Sequence, residues 1–104
     1  MSRWIEVAKE EEFSETVVVI EYDGILIAVF KLDDGYYAID DECSHDEASL
    51  SEGEIIEKCQ IECPMHGAIF DIKTGKNLSF PAVVPVKSYP TKVENETVFI
   101  EVDE

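Results

Sequence analysis

The chain has 104 residues, 45% of them hydrophobic and 10% aromatic, with 24 acids against 8 bases for a formal net charge of −16. That length suits one domain over 1–104, and the composition excludes a disordered chain, which would have too few apolar residues to offset the entropy of folding. The charge excludes nucleic acid and anionic membrane as partners, since both are held through Lys and Arg contacts to phosphate.

No apolar stretch reaches the roughly 18 residues of a bilayer span, and the start Met1-Ser2-Arg3-Trp4-Ile5-Glu6 lacks the apolar core of a signal peptide. The expected location is therefore the cytoplasm, where three cysteines, an odd number, make a better metal or redox set than a disulfide framework.

Taken in order, the elements predict an all-β chain. Only 7–13 looks capable of a helical turn. Residues 16–22 and 25–31 flank Asp23-Gly24, a strong hairpin dipeptide, and Asp33-Asp34-Gly35 turns the chain into a strand over 36–40. Ile55 and Ile56 open a strand region that runs to Glu62, and 68–72 pairs with 76–79 across Thr74-Gly75. Strands over 83–89 and 92–93 and a turn at Glu94-Asn95-Glu96 lead to a last strand over 97–102. Trp4, Phe13, Tyr22, Phe30, Tyr36, Tyr37, Phe80, Tyr89 and Phe99 fall at strand periodicity and are expected in the core.

Two segments break the strand rhythm, 41–53 and 63–67, and they hold both histidines and two of the three cysteines. They read Cys43-Ser44-His45 and Cys63-Pro64-Met65-His66, with 17 residues between His45 and Cys63. Two histidines placed at random would both fall two or three positions after a cysteine only about a few times in a thousand, which favours a metal centre.

A single zinc ion usually takes ligands separated by two to four residues within one loop, and the single residue inside Cys43-Ser44-His45 is tight for that. A binuclear [2Fe–2S] centre eases the geometry, because each loop can give its cysteine to one iron and its histidine to the other. Zinc stays open as an alternative, in a β-module with an interaction role. Cys59 has no histidine beside it and reads as a small buried apolar residue.

The stretch running from Cys43-Ser44-His45 through Glu62-Cys63-Pro64-Met65-His66-Gly67-Ala68-Ile69-Phe70-Asp71 to Thr74-Gly75, Pro81-Ala82 and Pro85-Val86 resembles the Rieske ferredoxins, above all the small ferredoxin components of bacterial aromatic-ring dioxygenases. The resemblance implies a Rieske iron–sulfur fold of three small antiparallel sheets, with a cluster-binding subdomain over about 40–82 inserted in a basal β-domain. It implies one [2Fe–2S] cluster on Cys43, His45, Cys63 and His66, and a third loop around Pro81 that covers it. The function it implies is not enzymatic: single electrons pass from an NAD(P)H-dependent reductase to a terminal oxygenase. A Rieske small subunit of a reductase, such as a nitrite reductase, is the alternative within the same likeness.

Departures from the family are informative. Membrane-bound respiratory Rieske proteins join their two loops by a disulfide, and the corresponding positions here are Ala48 and Met65. They also carry a serine and a tyrosine whose hydroxyls donate to sulfur, where this chain has Ala68 and Phe70. Losing those bonds predicts a low midpoint potential, on the order of −150 mV. Asp40, Asp41, Glu42, Asp46 and Glu47 crowd the first loop, opposing the negative charge that reduction adds and suiting a basic docking surface on the partner.

Overall fold

The computed structural model describes residues 2–13, 16–42, 49–64, 67–79 and 85–103. Ten strands lie among them: β1 (Ser2–Lys9), β2 (Val17–Tyr22), β3 (Ile25–Leu32), β4 (Gly35–Asp40), β5 (Glu54–Ile56), β6 (Gln60–Glu62), β7 (Ile69–Asp71), β8 (Ser88–Tyr89), β9 (Thr91–Glu94) and β10 (Thr97–Asp103). They form three antiparallel sheets, ordered β1-β10-β9, β2-β3-β4-β8 and β5-β6-β7.

The middle sheet is covered on both faces, and β3 shows why. Its run Ile27-Ala28-Val29-Phe30 is fully buried, so the hydrophobic pattern is continuous rather than alternating. Side chains of successive strand residues point to opposite faces. Ile27 and Val29 accordingly join Ala38, Val98, Ile100 and Val102 in a core against the terminal sheet, and Ala28 and Phe30 join Ile39, Leu50, Ile61, Cys63 and Phe70 in a second core against β5–β7. One strand thus ties the base of the molecule to the small sheet that holds Cys63.

The expected hairpin at Asp23-Gly24 is present, both residues taking the positive φ that its turn demands. The ladder between 69–71 and 76–78 is also present, through Asp71 N to Lys76 O and Leu78 N to Ile69 O. Other expectations need correction. Residues 7–13 are not a helical turn as a unit, because β1 runs to Lys9 and only Glu10–Glu12 is a 3₁₀ turn. A bulge between Glu6 and Ala8 breaks the alternation that would have announced this strand, letting Val7 and Ala8 both pack inward.

The strand region over 55–62 is a hairpin, turned at Glu57 and Lys58 with φ of +50° and +69°. Neither residue is the Gly or Asn that normally marks such a turn. Trp4 is not in the core but on the outer face of the terminal sheet, where the Lys92 ammonium stands 4.5 Å from its ring centroid. Phe13, Phe30 and Tyr89 are buried as expected; Phe80 lies outside the described residues.

Candidate metal centre

Cys63 follows β6 and is buried, with 1% of its surface exposed, as a free thiol in the core that also holds Ala68 and Phe70. Its main chain closes a short loop: Cys63 N–H donates to the Ala68 carbonyl at 2.7 Å, and Gly67 N–H donates back to the Cys63 carbonyl at 3.0 Å. Gly67 sits at φ +72°, a conformation that a side chain would strain. Phe70, fully buried, brings no hydroxyl toward this thiol, and neither does Ala68.

The foot of the first loop is built from β4 and the 3₁₀ turn Leu50–Glu52. Glu42 and Ser49 form an antiparallel bridge that brackets 43–48. The third loop is anchored at both ends onto β7 and the turn that follows it. Ser79 Oγ accepts the Ile69 N–H at 3.0 Å, and Val86 N–H donates to the Gly75 carbonyl at 2.9 Å. Leu26, Glu42, Pro85 and Val86 line one groove, so the feet of the first and third loops lie side by side.

Cys63 is the one proposed ligand among the described residues. Cys43, His45 and His66 lie outside them, as do Asp46, Glu47, Ala48, Met65 and Pro81.

Two readings of side chains change. Asp41 does not belong to an acidic exterior: it is buried, accepting the Ser51 N–H at 2.8 Å, while Asp40 is half-buried and accepts a hydrogen bond from Tyr89 Oη. Glu42 is exposed as expected. Cys59 is half-buried in the β5–β6 turn rather than buried in a strand. Its carbonyl accepts the Ile72 N–H.

Lys73, just after β7, reaches back to Asp34 in the β3–β4 turn at 2.7 Å and lies over the Tyr37 ring. Their hydrogen bond holds the Asp34 carboxyl below the usual carboxylate range and the Lys73 ammonium above its own. Sequence reasoning did not find Asp41 or Ser79 as loop anchors, since nothing in an isolated Asp or Ser announces a partner ten residues away.

A buried cysteine closed in by its own loop, paired in sequence with a second cysteine and two histidines, fits a Cys₂/His₂ binuclear iron centre. The Rieske [2Fe–2S] domain model matches residues 3–90 of the chain.

The chain belongs to the Rieske [2Fe–2S] domain family.

Within that family it is 46% identical over 79 residues to the 3-phenylpropionate/cinnamic acid dioxygenase ferredoxin subunit of Escherichia coli strain K12, covering 76% of this chain and 74% of that protein. In three dimensions it resembles the ferredoxin of carbazole 1,9a-dioxygenase from Nocardioides aromaticivorans IC177, with a TM-score of 0.86 and 31% identity over 93% of this chain and 95% of that one. A ferredoxin–oxygenase complex of carbazole 1,9a-dioxygenase contains a chain that matches at TM-score 0.85 and 33% identity, covering 93% of this chain and 91% of that one. This Rieske protein is an electron carrier with one [2Fe–2S] cluster, and not the catalytic component of its system.

Proposed function

We propose that Cys43 and Cys63 hold the inner iron and His45 and His66 the outer iron of the cluster, and that the chain passes single electrons from an NAD(P)H-dependent reductase to a terminal oxygenase in the cytoplasm. When bound, the cluster accepts and returns one electron at a time. The observation that carries the ligand assignment is the burial of Cys63 beside Leu50, whose 3₁₀ turn closes the foot of the loop that contains Cys43 and His45. The same anchoring supports a ligand subdomain over about 40–82. The oxygenase as acceptor is supported by the relatives, which are ferredoxin subunits of dioxygenases, one of them seen in complex with its oxygenase.

Charge supports a basic docking surface on the partner. Glu54 and Glu62 stand directly opposite each other across β5 and β6, a like-charge pair that weakens the sheet. Glu42, exposed like Glu54, adjoins the exposed apolar Ile25 and Leu26 in the groove at the loop feet. Acids kept at a cost to the sheet suit steering toward a cationic partner, an effect that salt screens.

The test is an optical and EPR spectrum of anaerobically purified protein before and after dithionite, with iron and sulfide measured on the same sample. Two irons, two sulfides and a rhombic reduced signal of low average g are expected. His45→Cys or His66→Cys should shift the site toward an all-thiolate spectrum or lose the cluster; an unchanged spectrum in either variant rules that histidine out as a ligand.

A further inference from the structure

Asp41 is the one buried charged residue among the described residues. Burying a carboxylate costs free energy unless hydrogen bonds replace those that water made, so its partners show what the residue is for. The first N–H groups of a helical turn have no partner inside the turn. In the 3₁₀ turn Leu50–Glu52 both leading donors end on Asp41: Leu50 N–H on its main-chain carbonyl at 2.6 Å, and Ser51 N–H on its Oδ1 at 2.8 Å. Asp41 N–H in turn donates to the Leu26 carbonyl at 2.9 Å. One residue therefore joins the β2–β3 hairpin, the end of β4 and the 3₁₀ turn. The next residue, Glu42, bridges to Ser49 and opens the loop that contains Cys43 and His45.

The main-chain bonds would survive any residue but proline at position 41; the bond to Ser51 needs this side chain. The turn already closes itself through Glu52 N to Ser49 O and Gly53 N to Leu50 O, and Leu50 is fully buried. The net stability from this one part-buried hydrogen bond is modest once the cost of burying the carboxyl group is set against it. What an apolar side chain cannot do is accept the Ser51 N–H, a side-chain tie between the two feet of the loop.

We propose that Asp41 is a positioning residue of the redox centre, its side chain locking the foot of the first ligand loop, where Glu42 bridges Ser49, onto the Leu50–Glu52 turn. The inference rests on the ligand assignment above.

The test compares the holoprotein with Asp41→Ala, Asp41→Asn and a control, Val98→Ala, which lowers stability in the other core. Hydrogen exchange of the Ser51 amide and the line shape of the reduced EPR signal are read on each. Asp41→Ala should speed Ser51 exchange roughly tenfold, as expected for one lost hydrogen bond, and should split or broaden the EPR lines. Asp41→Asn keeps an acceptor oxygen and should restore both readouts toward the wild type, while Val98→Ala should lower the melting temperature without changing the EPR lines.

Unchanged EPR lines or unchanged Ser51 exchange in Asp41→Ala would overturn the proposal, as would equal broadening in Val98→Ala. If Asp41→Ala does not fold, Asp41→Ser, whose hydroxyl falls a bond short of Ser51, replaces it with the same expected and overturning results. Wild-type protein without a rhombic Rieske signal would defeat the ligand assignment and this proposal with it; variants that match a wild type with that signal defeat the proposal alone.

Discussion

Gly75 and Val86 cross so closely that a β-carbon on the glycine would overlap the Val86 carbonyl oxygen. Gly75 also sits at φ +79° and accepts the Val86 N–H, so this contact anchors the trailing end of the third loop. Gly75→Ala should cost roughly 1–3 kcal/mol of stability from backbone strain, with further loss from the clash. Thermal melts and iron per chain on the purified variant check this; a variant with the wild-type melting temperature and full iron would mean the crossing can relax freely.

Phe70 shares the buried core of Cys63 and brings no hydrogen-bond donor to it. Phe70→Tyr should raise the midpoint potential by on the order of 50 mV, because a donor to sulfur favours the reduced, more negative state. Redox titration of the two proteins in one buffer decides it. A fall in potential would contradict the expectation that the missing donors at Ala68 and Phe70 lower it.

Tyr36 donates to Glu10 Oε1 at 3.2 Å and stacks edge-on against Phe13. Burial, with the Glu10 carboxylate second, raises the Tyr36 phenol above its ordinary value. A raised folded-state pKa means a stabilising contribution fully present below the unfolded value near 10, and lost as pH rises through the folded value. Wild type should therefore lose stability between pH 9 and strongly alkaline solution more steeply than Tyr36→Phe, which keeps the ring contact. Denaturant midpoints for both proteins at about pH 8, 10 and 11 test the difference in slope.

The opposed Glu54 and Glu62 on β5 and β6 separate stability from association. Glu54→Gln should leave the fold as stable or slightly more so, since it removes a like-charge pair. Combined with Glu42→Gln and Glu62→Gln, it should slow reduction of a basic acceptor such as cytochrome c several-fold at low salt, with little change at high salt. Stopped-flow rates against ionic strength measure this, and curves that superimpose for wild type and triple variant would remove these acids from docking.

Cys59 is a half-buried thiol in a turn, with its role in the fold carried by its carbonyl. Cys59→Ala should keep two irons and two sulfides per chain and an unaltered EPR spectrum. Loss of iron in this variant would make the third cysteine a participant in the centre.

Much of this protein was legible in its residues. Turn dipeptides such as Asp23-Gly24 act locally, and the spacing of Cys43, His45, Cys63 and His66 is a chemical pattern that needs no coordinates, so the all-β class and the family followed from the sequence by itself. The β5–β6 hairpin was hidden because Glu57 and Lys58 take left-handed backbone without the residue types that advertise it. The β1 strand was hidden because its bulge shifts the alternation by one.

Only the tertiary structure decided which acids face water and which face inward. Asp40, Asp41 and Glu42 are near-identical neighbours in sequence, yet Asp41 is buried under the Leu50–Glu52 turn, Asp40 meets Tyr89, and Glu42 is exposed. Burial of a carboxylate depends on donors brought to it by distant segments, and those donors, Ser51 N–H and Tyr89 Oη, reach it only once the chain has folded.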